Sequence, residues 1–251
     1  MEVLSLFALA AAPGAAIALY LYWNDEHEKE PTRLIRKSFL FGLGSILVTL
    51  ILSPVMTGII GIDPERASSG GYGLFSMALF TFVGVGLVEE FSKWIMVRVK
   101  ILNWQNFNEP YDGILYSVMV SLGFATLENV LYIFGAQEAA PYGGWITGGI
   151  RMFTAVPAHA ICGVLMGYYY GKAKFQGHGR GTNLALALIV PTIFHGAYDF
   201  FAFLDYTPGI LAGAFISIIV GSLLASRAMK EHKNNSPFHP DRIPAETQDV
   251  L

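Results

Sequence analysis

Residues 83–100 read V-G-V-G-L-V-E-E-F-S-K-W-I-M-V-R-V-K. They close an apolar run over 72–97, longer than the roughly 20 residues a helix needs to cross a hydrocarbon core of about 30 Å. Inside that run sit two adjacent carboxylates, Glu89 and Glu90, and an ammonium, Lys93. An ionised side chain at the centre of a bilayer costs at least about 3 kcal/mol, so these three must face a protein interior or a wet cavity. Glu89 and Lys93 are spaced i,i+4, and Glu90 and Lys93 i,i+3, so Lys93 can pair with either on one helix face. The carboxylate it leaves needs a partner from elsewhere in the chain.

Six more apolar runs lie at 3–23, 38–62, 111–134, 147–171, 182–204 and 209–228. The 251 residues are 53% hydrophobic and only 14% charged, against about 25% charged in a soluble domain. The fold class expected is all-α, a polytopic bundle of seven transmembrane helices in a single membrane-embedded domain over 1–228. The polar, Pro-containing stretch 229–251 is expected to be a disordered tail. The first run lacks a basic leader and a cleavage site, so it reads as a retained helix. With the N-terminus outside and the loops alternating, thirteen of the sixteen Lys and Arg fall on the inner side. Only Arg66 and Arg151 fall outside, and Lys93 lies within a span, which predicts an N-out, C-in topology. The net charge of −3 gives no reason to expect nucleic acid as a partner. One cysteine, Cys162, excludes an intrachain disulfide and reads as a small buried hydrophobe. There is no inverted repeat of the kind that marks many transporters, and the small residues of the second, third and seventh spans suit close helix packing.

Polar residues recur inside the other spans. The fourth contains F-A-T-L-E-N-V-L-Y, with Glu128, Asn129 and Tyr132; the fifth contains P-A-H-A-I-C-G, with His159; the sixth contains F-H-G-A-Y-D-F, with His195 and Asp199 at i,i+4. Taken singly, each has a bland reading: a lone His bonds one helix to another, Asn129 and Tyr132 glue helices, and Asp112 caps or solvates a span entrance. Taken together, they exceed what packing needs. Counting about 1.5 Å per residue, the two histidines come near one level, while ideal helices would hold Glu90 and Glu128 about 12 Å apart along the membrane normal. Tilts or kinks must close that gap.

Two kinds of chemistry use such a set. Glu128, His159 and His195 are a donor set for Zn²⁺ with an open position for water; a carboxylate outside the metal shell would then act as base. The H-E-x-x-H signature is absent, so any metal site is assembled from different helices. Without metal, a glutamate activates water while imidazole and Asn129 stabilise the oxyanion. Either route is hydrolysis. The same inventory also serves a proton- or cation-coupled transporter, and the residues alone leave these classes open.

Four motifs in order, each on its own span, carry a resemblance: E-E-x-x-K at Glu89, Glu90 and Lys93; F-x-x-x-E-N-x-x-Y at Phe124, Glu128, Asn129 and Tyr132; H-x-x-x-G at His159 and Gly163; H-G-x-x-D at His195, Gly196 and Asp199. With the flanking E-P-Y-D-G-I-L-Y stretch, residues 83–201 resemble the PrsW family of membrane proteases, and more distantly the CAAX-prenyl and bacteriocin-processing protease superfamily. The resemblance implies a multi-pass protein of a bacterial plasma membrane that cuts membrane-protein substrates, in one member a membrane-bound anti-sigma factor. It implies that Glu89 and Glu90 are essential as acid/base or ligand residues and that Glu128, His159 and His195 complete the site, with Lys93, Asn129, Tyr132 and Asp199 supporting. It leaves metal- and glutamate-activated water open. Adjacent helical residues point about 100° apart, so one glutamate faces the cluster and the other takes Lys93; Glu90 is favoured as the base.

Overall fold

The computed structural model describes residues 2–204 and 211–242. Its helices are α1 (Glu2–Trp23), α2 (Thr32–Ile60), a short α3 (Pro64–Ser68), α4 (Leu74–Ile101), α5 (Pro110–Ala139), α6 (Gly143–Phe153), α7 (Ala155–Phe175), α8 (Arg180–Phe203) and α9 (Leu211–Asn234). Among the described residues there is no strand, and seven helical stretches are long and apolar enough to cross a membrane, α6 and α7 together forming the fifth. The seven expected spans are therefore present, each described limit within six residues of the one read from the sequence. Helix α9 runs on to Asn234, into the stretch read as tail, and Ser236 beyond it is buried. Residues 205–210, with the turn expected at 205–208 and the first two residues of the expected seventh run, and 243–251 lie outside the described residues.

Helix α5 is the hub. Its residues from Pro110 to Ala125 are buried without interruption, and it packs most extensively against α7 and α2. A helix apolar on every side is stable only inside a protein or a bilayer, and α5 takes the first option. Helices α1, α2 and α9 take the second: Leu4, Leu19, Leu50, Ile51, Ile216 and Ile219 are exposed large hydrophobics on faces that meet lipid. Small residues let the central pair approach closely. A Cβ on Gly113 of α5 would come within 2.7 Å of the Gly167 carbonyl oxygen of α7, and one on Gly167 would run into the carbonyl of Gly113.

Three irregularities interrupt the helices that carry the polar residues. Helix α4 is π-helical over Phe80–Leu87, directly before the turn bearing Glu89 and Glu90; such wide turns cluster at functional sites. Pro191 lies inside α8, where its missing N–H removes a helical bond one turn before His195. Thr154, at φ −122° and ψ −76°, separates α6 from α7 just ahead of His159. The offset of ideal straight helices is bridged by side chains, through His159 and Lys93 between Glu128 and Glu90.

At one end of the bundle, the α1–α2 connection folds onto the start of α5. Oδ2 of Asp112 accepts the backbone N–H groups of Asn108 and Glu109 at 2.8 Å each, so of the two roles open to Asp112 it has the capping one, fully buried. The Tyr116 hydroxyl bonds Glu30, and Asp25 accepts the Glu30 N–H at 3.3 Å. Burial pushes the Asp25 carboxyl up to about 6 and those of Glu30 and Glu109 to about 7, because desolvation disfavours the charged form.

Candidate active site

Glu90 and Lys93 lie on one face of α4 and are fully buried. Nζ of Lys93 stands 2.7 Å from Oε1 of Glu90 and 3.7 Å from Oε2 of Glu89. The same Glu90 oxygen meets Nδ1 of His195, on α8, at 2.8 Å. Nζ of Lys93 also lies 3.1 Å from Nδ1 of His159, on α7, and 4.3 Å from the centre of the Phe124 ring. Nε2 of His159 is 2.8 Å from Oε2 of Glu128, on α5. Four helices are thus joined through one chain of charged and imidazole groups, Glu128–His159–Lys93–Glu90–His195.

The proton positions follow from the partners. An ammonium only donates, so Nδ1 of His159 accepts from Lys93, and its Nε2–H donates to Glu128. His195 differs: its Nδ1 faces Glu90, while its Nε2 lies 3.3 Å from Oδ2 of Asp199 and 3.7 Å from Oε2 of Glu89. Both of its nitrogens face carboxylate oxygens, an arrangement that an imidazolium satisfies.

A cavity of about 560 Å³ opens on this cluster. Glu89, Glu128, His159, His195 and Asp199 line it, with Tyr132, Arg151 and Tyr198; Pro64, Glu65 and Ser68 of α3 and its flank form part of the wall. Glu90 and Lys93 do not reach it. The two adjacent glutamates therefore divide as their 100° separation requires, but in the opposite sense to the one expected: Glu90 holds Lys93 and His195, and Glu89 faces the cavity. Oε2 of Glu89 is buried and has no hydrogen-bond partner. Glu90 also has an unpartnered oxygen, but that one is sealed away from the cavity.

The expected metal donors Glu128, His159 and His195 do not form one set. Among the described residues, Glu89, His159 and His195 do, with one ligand atom from each within 4.8 Å of the others. Glu90, Cys162 and His195 form a second such group, deeper in the protein. Cys162 itself is buried and contacts the Pro191 carbonyl at 3.8 Å.

One side chain joined to this cluster is not marked by any of the four motifs. Arg151, on α6, donates from Nη2 to Oε2 of Glu128 at 2.5 Å and from Nε to Oδ1 of Asn129 at 2.7 Å. Its guanidinium lies 4.1 Å from the centre of the half-exposed Tyr132 ring. The available signal was its place on the side where basic residues are scarce.

The family model described as "PrsW family intramembrane metalloprotease" matches residues 30–225. "Protease PrsW" of Geobacillus kaustophilus (strain HTA426) is 35% identical over 240 residues, covering 96% of each chain. "Protease PrsW" of Bacillus subtilis (strain 168) is 34% identical over 197 residues, 78% of this chain and 82% of that one. The protein of that name from Clostridioides difficile (strain 630) is 29% identical over 238 residues, 93% of each. No solved structure matches the chain significantly. These relatives decide between the two classes the residues left open, and the transporter reading is set aside. The chain belongs to the PrsW family: it is a membrane-embedded peptidase, a multi-pass protein of a bacterial cell membrane.

Proposed function

We propose that this peptidase cuts a single-span membrane protein close to the bilayer surface, on the side where α3 walls the cavity, and that Glu89 activates the water. The observation that carries the reading is that the Glu89 side chain lines the cavity while its buried Oε2, 3.7 Å from Lys93 and from His195, has no hydrogen-bond partner. A carboxylate so placed accepts the proton of a water that enters. The water oxygen attacks the peptide carbonyl carbon, Nε2–H of His195 faces the developing oxyanion, and the proton held on Glu89 passes to the leaving nitrogen as the C–N bond breaks. Glu90 keeps His195 oriented, and Lys93 offsets the charge of Glu90. Phe80, Val85 and Phe203 give the cavity an apolar flank suited to an extended segment leaving the membrane, and a folded soluble domain could not enter about 560 Å³. An anti-sigma factor with one membrane span is a substrate of this kind.

A second reading follows from the convergence of Glu89, His159 and His195. His195 meets the usual requirement of a metal-bound imidazole, since its other ring nitrogen faces a carboxylate; Glu89 has a free oxygen. His159 has both nitrogens engaged, by Lys93 and Glu128, and would have to leave one of them. These three residues would hold the ion. Zn²⁺ bound there would supply a water of pKa about 7 and polarise the substrate carbonyl, leaving Glu128 as the carboxylate outside the metal shell.

Comparing the membrane proteome of a deletion strain with that of a strain carrying Glu89→Gln tests the substrate. The same uncut single-span precursors should accumulate in both, and accumulation in neither would remove the reading. Chelation of the purified protein tests the chemistry. Cleavage that persists in metal-free protein supports Glu89 as the direct base. About one metal per chain, lost in His195→Ala, with cleavage abolished by chelator and restored by Zn²⁺, supports the metal site instead.

A further inference from the structure

The E-N-x-x-Y motif of α5 has a structural purpose that its residues alone do not show. Glu128, Asn129 and Tyr132 lie on one side of α5, and all three meet a single partner, Arg151. The guanidinium donates to Glu128 at 2.5 Å and to Asn129 at 2.7 Å, and lies 4.1 Å from the centre of the Tyr132 ring. The fork is planar and rigid and also stacks, so a lysine could not reproduce the three contacts together. Arg151 rides on α6, which the break at Thr154 separates from the helix that bears His159. Glu128 is thereby held between two donors from different helices, Arg151 from α6 and the Nε2–H of His159 from α7.

We propose that Arg151 is a positioning residue of the site: it holds the Glu128 carboxylate against Nε2 of His159 and so fixes the tautomer and plane of that ring. Lys93 addresses the opposite ring nitrogen. His159 is pinned from both ends, and the ring that faces His195 edge-on at 5.2 Å between centroids cannot turn. Without Arg151, Glu128 keeps one of its two donors and is free to swing into the cavity it lines. This inference rests on the proposed reading in one respect, that Glu128 and His159 belong to the working site.

The test uses the full chain in detergent and, as probe, a single-span reporter protein with a quenched fluorophore pair across its outward juxtamembrane stretch. Arg151→Met, which fills the space without charge or donors, should lower kcat about tenfold or more and change KM less than about threefold. Arg151→Lys should recover only part of the loss. The double variant Glu128→Gln with Arg151→Met should be no slower than Glu128→Gln alone, because residues that act through one another are not additive. Guanidinium ion at millimolar concentration should restore part of the activity of Arg151→Ala, which a purely structural loss would not allow. In protein labelled with nitrogen-15 histidine, with the His159 signals assigned by their loss in His159→Gln, the Nε2–H form should dominate in the wild type and give way to a mixture in Arg151→Met. Unchanged kinetics and tautomer in Arg151→Met, or losses that multiply in the double variant while Glu128→Gln is itself impaired but still measurable, would overturn the role of Arg151 alone. Full activity of Glu128→Gln would overturn it together with the reading of the site.

Discussion

Nζ of Lys93 lies 3.1 Å from Nδ1 of His159, and with that one contact a lysine of the third span sets the proton position on a histidine of the fifth. The same ammonium neutralises Glu90 at 2.7 Å. Glu89, one residue earlier, is left to face the cavity.

This division predicts different phenotypes for two neighbouring isosteric changes. Glu89→Gln should abolish cleavage, by about a hundredfold or more, while leaving thermal unfolding in detergent nearly unchanged. Glu90→Gln should also lose activity but should destabilise the fold by up to about 3–5 kcal/mol, since it leaves a buried lysine without its main counter-charge. Turnover and unfolding midpoints measured on the same preparations check both. A stable, active Glu89→Gln would show that the cavity-facing glutamate is not the working one.

Orientation can be read with reporter fusions. Fusions after Lys37, Arg66, Lys174 and the C-terminus should report inside, outside, inside and inside, as the distribution of basic residues requires. An external C-terminus would contradict the seven-span path.

The acidic group at the start of α5 makes stability depend on pH. Asp25, Glu30 and Glu109 have folded values of about 6, 7 and 7, above the roughly 4 of an unfolded carboxyl. The folded chain therefore binds more protons between about pH 4 and 8, and stability falls as pH rises through that window. The unfolding midpoint should be higher at pH 5.5 than at pH 8. Asp25→Asn with Glu109→Gln should raise the pH 8 midpoint and flatten the dependence; an unaltered slope would show that the docked loop does not titrate with the fold.

Two glycines in the spans should respond in opposite ways to alanine. At Gly167 the new methyl would meet the Gly113 carbonyl, and overpacking of this kind costs about 1–3 kcal/mol. At Gly44, where a Cβ meets nothing within 4 Å, the same change should stabilise α2 by about 0.5–1 kcal/mol. Unfolding midpoints of the two variants decide it.

Much of this protein is legible in its sequence. Apolar runs of 20 or more residues are set by the bilayer thickness, so the seven spans follow from local composition. The scarcity of charge in those runs makes each exception conspicuous: Glu89, Glu90, Lys93, Glu128, His159, His195 and Asp199 stand out because hydrocarbon penalises them individually. Helical spacing also required Glu89 and Glu90 to diverge. Which of them turns toward the cavity depends on the rotation of α4 about its axis, and the π-helical turns at Phe80–Leu87 reset that rotation by an amount no residue count supplies. Arg151 shows the same limit. Its neighbours in sequence mark it only as a basic residue near the outer surface, whereas its partners Glu128, Asn129 and Tyr132 lie about 20 residues away on another helix. Local sequence determined what had to be buried, because the cost of a charge in lipid is a property of each residue; the tertiary packing alone decided which groups meet, because that depends on helix rotation, breaks and tilt summed over the whole bundle.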